Sequence, residues 1–151
     1  MRSNYNYKLT AADKVTDLSR SSKKLPFRVT PQRMMILRLI KEDSNHPDAE
    51  AIFRKVRAEY PHLSLKTVYN TLDLFCDTRI IRELLIEPRK KRYCPDPAPH
   101  HHILCTSCKK VVDVFKDIPV RLETEQSRGF RIDGNQITFR GLCPDCLVEN
   151  S

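Results

Sequence analysis

The densest chemistry in this chain lies in residues 92–113, RYCPDPAPHHHILCTSCKKVVD, where Cys94, His100, His101, His102, Cys105, Cys108 and Asp113 share one short run. If the residues around Ile103 form a strand, side chains alternate across it, so His100 and His102 point to one face and His101 to the other. Two imidazoles on one face form part of a chelate. Cys105 and Cys108 make a C-x-x-C knuckle, and a second, Cys143-Pro-Asp-Cys146, stands near the C-terminal end. Four thiolates delivered as two such pairs surround one tetrahedral Zn²⁺ with no open position, which is a structural rather than a catalytic site. A redox C-x-x-C or a disulfide is the competing reading; two matched pairs and no secretory leader favour zinc.

These ligands need elements to hold them. Thr30-Pro31 is a helix start, with Thr30 as cap and Pro31 where its missing N–H costs nothing. The helix expected over 31–41 carries Met35, Ile36, Leu39 and Ile40 at helical spacing. Asp48 caps a second, over 49–60, with Ile52, Phe53, Val56 and Tyr60 as its stripe and Pro61 as its stop. Ser64 caps a third, whose apolar face is Leu65, Val68, Leu72 and Phe75. Its other face shows Lys66, Thr67, Tyr69, Asn70 and Asp73. A helix that follows its neighbour through a short turn and carries such groups at its start fits the recognition helix of a helix-turn-helix. There Lys66 would meet phosphate, Thr67 or Asn70 base edges, and the Tyr69 ring a thymine methyl or sugar. A plain solvated face is the alternative reading of this helix taken alone.

From Ile80 the pattern turns to short β-rich runs, Ile80-Ile81 and Leu84-Leu85-Ile86, separated from Arg92-Tyr93 by the basic turn Pro88-Arg89-Lys90-Lys91. Two strands with a basic tip read as a wing beside the recognition helix. Pro95, Pro97 and Pro99 then interrupt regular structure. The expected organisation is a winged helix with an N-terminal extension over 1–93, a hinge over 94–99 and a small second domain over 100–151. In that domain strands are expected near 102–105 and 110–115, a helix over 118–128 ending at Gly129, and strands over 130–132 and 136–142 joined by Asp133-Gly134-Asn135. About 50 residues bury little on their own, so zinc and dimerisation are the expected supports.

With 151 residues, 40% of them hydrophobic, the chain can build a core, and its net charge of +8 favours a polyanionic partner, nucleic acid before membrane. Upstream, Thr10 is a candidate cap for a short helix over 11–19, and Arg20, Lys23, Lys24 and Arg28 concentrate charge before the first strong element. A phosphate-touching arm and a solvated tail both suit that run. No apolar run approaches a membrane span and no signal peptide is visible, so a cytoplasmic protein with reduced cysteines is expected.

These residues carry a resemblance to the ferric uptake regulator (Fur) family of metal-responsive transcription factors. Its anchors are RVTPQR at 28–33, HPDAEAIF at 46–53, LSLKTVYNTL at 63–72, the HHHILCTSC block and the final CPDC, together spanning roughly residues 28–146. The resemblance implies an α+β protein: an N-terminal winged helix, a C-terminal α/β dimerisation domain, and a homodimer that reads a palindromic operator on double-stranded DNA. It places structural Zn²⁺ on Cys105, Cys108, Cys143 and Cys146. It places a regulatory metal between the domains, on His46, Cys94, His100, His102 and Asp113. Arg28, Lys66, Thr67, Tyr69, Asn70, Arg89, Lys90 and Lys91 are the expected DNA contacts.

Two features depart from one another. The iron and peroxide branches usually carry Asp or Glu at the position of Cys94, and thiolate suits softer ions such as Zn²⁺, as zinc-sensing relatives use it. Asp113, in contrast, resembles the peroxide-sensing branch. A carboxylate with imidazoles suits Fe²⁺ or Mn²⁺. The site can therefore be read as a zinc sensor through Cys94, His100 and His102, as an iron site responsive to peroxide with Cys94 itself oxidised as an exposed thiolate would be, or as a site impaired for metal that leaves DNA binding to another trigger. The retained His46, His100, His102 and Asp113 lean toward the iron or peroxide reading. A further metal site of some iron sensors is not carried over, because no histidine follows His102. His62 is expected to pack or touch a phosphate, and Cys76 to be a small core residue.

An enzyme is the contrasting class. A zinc hydrolase needs an open metal position and a placed base, commonly in H-E-x-x-H, and the sequence has no such motif. A zinc-ribbon interaction module would account for the cysteines but leave the TPQR helix, the VYN helix and the basic wing unexplained.

Overall fold

The computed structural model describes residues 27–88 and 90–149. The helix expected over 11–19, the charges at Arg20, Lys23 and Lys24, and the wing-tip residue Arg89 lie outside the described residues. The chain divides into two compact units, with the break between Pro97 and Ala98 in the proline-rich run.

The first unit opens with three capped helices, α1 (Pro31–Glu42), α2 (Ala49–Glu59) and α3 (Leu65–Asp77). Each starts where a side-chain oxygen takes up an N–H that the helix leaves bare. Thr30 accepts from Arg33 N at 3.3 Å, Asp48 from Ala51 N at 2.7 Å and Ser64 from Thr67 N at 3.1 Å. One apolar stripe from each helix meets the others in the core: Ile36 and Ile40, Ile52 and Val56, and Val68, Leu72 and Phe75 are wholly enclosed. Each such side chain contributes about 1.5–3 kcal/mol relative to exposure. Leu37 joins this core, whereas the expected stripe members Met35, Phe53 and Leu65 are only half-buried. Thr71 is buried on α3 without penalty, because its hydroxyl donates to the Thr67 carbonyl at 2.8 Å.

Two antiparallel strands, β1 (Arg82–Glu87) and β2 (Lys90–Cys94), follow α3 and form the wing. Leu84 and Ile86 point inward and Leu85 outward, as period-2 alternation requires. The register shifts between Leu84 and Glu87, a bulge that brings Glu87 opposite Lys90.

The second unit is a three-stranded sheet in the order β4-β3-β5, with β3 (His101–Cys105) central, β4 (Val111–Val114) antiparallel and β5 (Thr138–Gly141) parallel to it. A one-turn helix, α4 (Thr124–Ser127), and a C-terminal helix, α5 (Pro144–Glu149), complete it. Its buried apolar side chains are few, Leu104, Val111, Cys105 and Cys146.

Two expectations fail in this unit. The helix over 118–128 shrinks to α4, because residues 119–126 are all exposed and offer no stripe to bury. The start signal that prevails is local: Gln126 Oε1 accepts from Glu123 N at 3.0 Å, and left-handed Arg128 and Gly129 close the turn. No strand forms over 130–132, where Phe130 and Ile132 are exposed. The 133–135 hairpin is therefore absent, and β5 pairs with β3 instead.

Candidate metal centres and DNA-reading face

The second unit brings Cys105, Cys108, Cys143 and Cys146 together, with all four sulfurs within 4.8 Å of one another. Cys108 Sγ and Cys143 Sγ are 3.6 Å apart. Zinc–sulfur bonds of about 2.3 Å at tetrahedral angles require sulfurs about 3.8 Å apart, so the set fits Zn²⁺. The first knuckle is a tight turn leaving β3, in which Lys109 takes φ = 64° and Cys105 N donates to the Lys110 carbonyl at 2.8 Å. The second lies between β5 and α5, where Thr106 N reaches the Gly141 carbonyl at 2.7 Å. The Cys143 N–H donates to Cys105 Sγ at 3.3 Å, and this bond with others from the first knuckle lowers the Cys105 thiol to about 6. A hydrogen bond from Ser107 favours the Cys146 thiolate, but its bond with Cys143, burial and the neighbouring sulfurs outweigh it and push that thiol up to about 12. Crowded thiols of this kind all ionise when a cation offsets their mutual repulsion. None of the six cysteines is in a disulfide.

A second cluster sits on the opposite end of the same sheet. His102 and Asp113 are paired across β3 and β4 and so face one side. His100 Nε2 and His102 Nε2 each lie 3.3 Å from the same oxygen, Asp113 Oδ1. Donors sharing one ion at about 2.1 Å stand about 3.0 Å apart at octahedral angles and about 3.4 Å apart at tetrahedral ones. The His100 Nδ1–H donates to the Ala98 carbonyl at 2.8 Å, which assigns the proton to Nδ1 and leaves the Nε2 lone pair for an ion. His101 is turned elsewhere, its Nδ1 accepting from Ile137 N at 3.1 Å. Two nitrogens and one carboxylate oxygen form a borderline donor set suited to Fe²⁺, Mn²⁺ or Zn²⁺.

His46 and Cys94 belong to the first unit. His46 is buried in the turn between α1 and α2 with φ = 56°. Cys94 ends β2 and is wholly buried, its Sγ 3.5 Å from the Asp96 carbonyl. That burial corrects the expectation of an exposed thiolate, because oxidation of a thiol follows its exposure. Cys76 is half-buried against the core, and burial pushes its thiol up to about 11.

On α3, Lys66, Thr67 and Asn70 are exposed, and Tyr69 is half-buried. A groove of about 750 Å³ is lined by Thr67 and Asn70 of this set, together with Arg28, Gln32, Arg33 and His62. Arg33 donates to the Arg28 carbonyl at 2.6 Å and lies over the Phe27 ring, whose centroid is 5.5 Å from that of Phe75. Gln32 and Arg33 were not singled out from the sequence, although they stand in the RVTPQR anchor; nothing local distinguishes a polar helix-start residue that lines a groove from one that faces solvent. In the wing, Lys90 pairs with Asp48 at 2.7 Å and Lys91 with Glu83 at 2.8 Å, so each of these two lysines already has a carboxylate partner. Burial opposes ionisation of Asp48, but its bonds to Lys90 and Ala51 outweigh this and hold its carboxyl below the usual range.

A three-helix unit with a wing, followed by a small sheet unit carrying a four-thiolate cluster and an imidazole–carboxylate cluster, defines a winged-helix regulator of the metal-responsive class. A profile of the Ferric uptake regulator family matches residues 24–140, and the chain belongs to that family. It is 31% identical over 135 residues to the Peroxide-responsive repressor PerR of Staphylococcus epidermidis, covering 87% of this chain and 89% of that one. It is 29% identical to the Peroxide operon regulator of Bacillus subtilis, covering 93% and 99%. The Helicobacter pylori ferric uptake regulator, described as having three functional metal binding sites, superposes with a TM-score of 0.66 at 21% identity, covering 91% and 94%, and supports the fold. The protein is thus a metal-responsive, DNA-binding transcriptional regulator. Among the described residues, no helix is long and apolar enough to cross a membrane.

Proposed function

We propose that this chain is a homodimeric repressor of the cytoplasm that reads a palindromic operator with α3 and is switched by a divalent ion at the imidazole–carboxylate cluster. The observation that carries the reading is the convergence of His100 and His102 on one oxygen of Asp113. His46 and Cys94 supply the remaining ligands of that ion, as the resemblance implies. Ligands drawn from both units let binding free energy set the angle between the two recognition helices of a dimer. Lys66 positions the duplex through phosphate, Thr67 and Asn70 meet base edges, and Arg28 with the wing residues Arg89, Lys90 and Lys91 follows the backbone. The four-thiolate cluster holds Zn²⁺ and secures the C-terminal segment.

The nitrogen and oxygen donors, and the 31% identity to a peroxide-responsive repressor, favour Fe²⁺ or Mn²⁺ and a peroxide signal. Buried Cys94 favours a second reading, a zinc-uptake regulator in which its thiolate is a ligand. Metal analysis of wild type, Cys94→Ser and Asp113→Asn, with operator affinity measured in Fe²⁺, Mn²⁺ and Zn²⁺, separates the two. The first reading expects Asp113→Asn to lose the second metal and Fe²⁺ or Mn²⁺ to raise affinity, with hydrogen peroxide reversing the Fe²⁺ effect. Zn²⁺ alone raising affinity, with loss in Cys94→Ser, selects the second. An operator affinity that no ion changes sinks both.

A further inference from the structure

His46 occupies the left-handed region at φ = 56°, a strained backbone for a residue with a Cβ. Its backbone is held from three sides. The carbonyl of Asn45 accepts from an Arg92 terminal nitrogen at 3.0 Å. The N–H of His46, at the other end of the same planar peptide, donates to the Asp43 carbonyl at 3.2 Å. Beyond it, the Pro47 carbonyl accepts from Tyr93 N at 3.1 Å. Two of the three holding groups come from adjacent residues of β2, and Lys90 of the same strand grips Asp48.

Arg92 is itself fixed. Only 7% of it is exposed, and its Nε and a terminal nitrogen both meet Glu87 Oε1 at 2.6 Å. A buried ion pair is a poor source of stability, since well-packed apolar side chains serve as well. The third arm of this guanidinium is directed at a loop carbonyl next to a proposed metal ligand. A lysine could not span both partners, because its single nitrogen lacks the planar fork.

We propose that Arg92 is a positioning residue for the regulatory metal. Anchored by Glu87 at the wing, it fixes the peptide that presents His46, so the ligand meets the ion without first ordering its loop. The same bonds return any shift of His46 to β2, linking metal occupancy to the wing. The proposal rests on His46 being a ligand.

The test uses the zinc-loaded full chain, with Co²⁺ as the probe at the regulatory site. Arg92→Met combined with Glu87→Gln removes the pair without stranding a buried carboxylate. Its Co²⁺ affinity is expected to fall roughly 10- to 100-fold, with a changed cobalt absorption spectrum and a smaller ratio of DNA affinities with and without Co²⁺. Glu83→Gln, which breaks the other wing ion pair, is expected to leave Co²⁺ affinity alone; an equal fall there would show general wing damage and overturn the proposal. His46→Ala separates the two ideas. Wild-type Co²⁺ affinity in His46→Ala removes the ligand assignment and this inference with it. Weak binding in His46→Ala beside wild-type affinity, spectrum and DNA ratio in the double variant overturns the positioning role alone. If the double variant fails to retain its zinc, Arg92→Lys is read by the same standard, weaker Co²⁺ binding supporting the role and wild-type binding overturning it.

Discussion

The Tyr69 hydroxyl donates a 2.7 Å hydrogen bond to Glu50 Oε1, tying the recognition helix to the helix before it. That bond is the main cause of the upward shift of the Tyr69 phenol, which stays protonated. With its hydroxyl engaged, Tyr69 would have only its ring to offer a duplex in the proposed reading. Tyr69→Phe is therefore expected to keep operator affinity within about fivefold, on the order of 1 kcal/mol. Tyr69→Ala should lose roughly 10- to 100-fold by removing the apolar contact. Fluorescence anisotropy on operator DNA decides this; equal losses would mean that the hydroxyl itself reads the duplex.

Lys66 is exposed at the start of α3, whereas Lys91 already faces Glu83. Neutralising a lysine that touches phosphate reduces the slope of log affinity against log salt by about one unit. Lys66→Ala is expected to show that change across all sequences, and Lys91→Ala clearly less. Salt titrations from low to moderate ionic strength measure both slopes. Equal changes would show that DNA draws Lys91 away from Glu83.

Asn70→Ala should act differently from either lysine. A base-edge contact gives about 1–3 kcal/mol of discrimination at one position, so its loss relaxes sequence preference there. Competition between operator variants reads this directly. A uniform loss across all variants would demote Asn70 to a backbone contact.

The second unit has little apolar core, and the sulfur cluster joins β3, β5 and α5. Zinc binding at such sites is worth on the order of 10–16 kcal/mol of apparent folding free energy. Cys143→Ser is expected to lose the zinc and, with it, the ordered second unit and the dimer. Elemental analysis and sedimentation velocity follow the two losses together. A zinc-free variant that remains dimeric would contradict the assigned structural role.

Ile103, Val112 and Phe139 are neighbours across the three strands on one face of the sheet, and all are exposed. An apolar row of this kind suits a second copy of the same sheet. Val112→Asp should convert the dimer to a monomer while retaining its zinc. Sedimentation velocity at several concentrations tests it, and an unchanged dimer would move the interface elsewhere.

Much of the first unit was legible in the residues because its signals act over three or four positions. A capping oxygen at Thr30, Asp48 or Ser64 reaches an N–H three residues on, and apolar spacing defines the face to be buried. The two C-x-x-C pairs were legible for the same reason, since a knuckle is a local turn and thiolate chemistry narrows the ion. The failures, the helix over 118–128 and the strand over 130–132, came where local propensity had nothing to pack or pair against. Tertiary structure alone decided which charges neutralise one another, Lys90 with Asp48 and Lys91 with Glu83, and that the Tyr69 hydroxyl donates to Glu50. It also joined Arg92 to Asn45, 47 residues apart in sequence. Such pairs depend on how β2 lies against the turn before α2, and no spacing along the chain encodes that distance. The sequence by itself therefore determined the ligand types and the capped helices, while the fold determined which of those side chains remain available to ion and DNA.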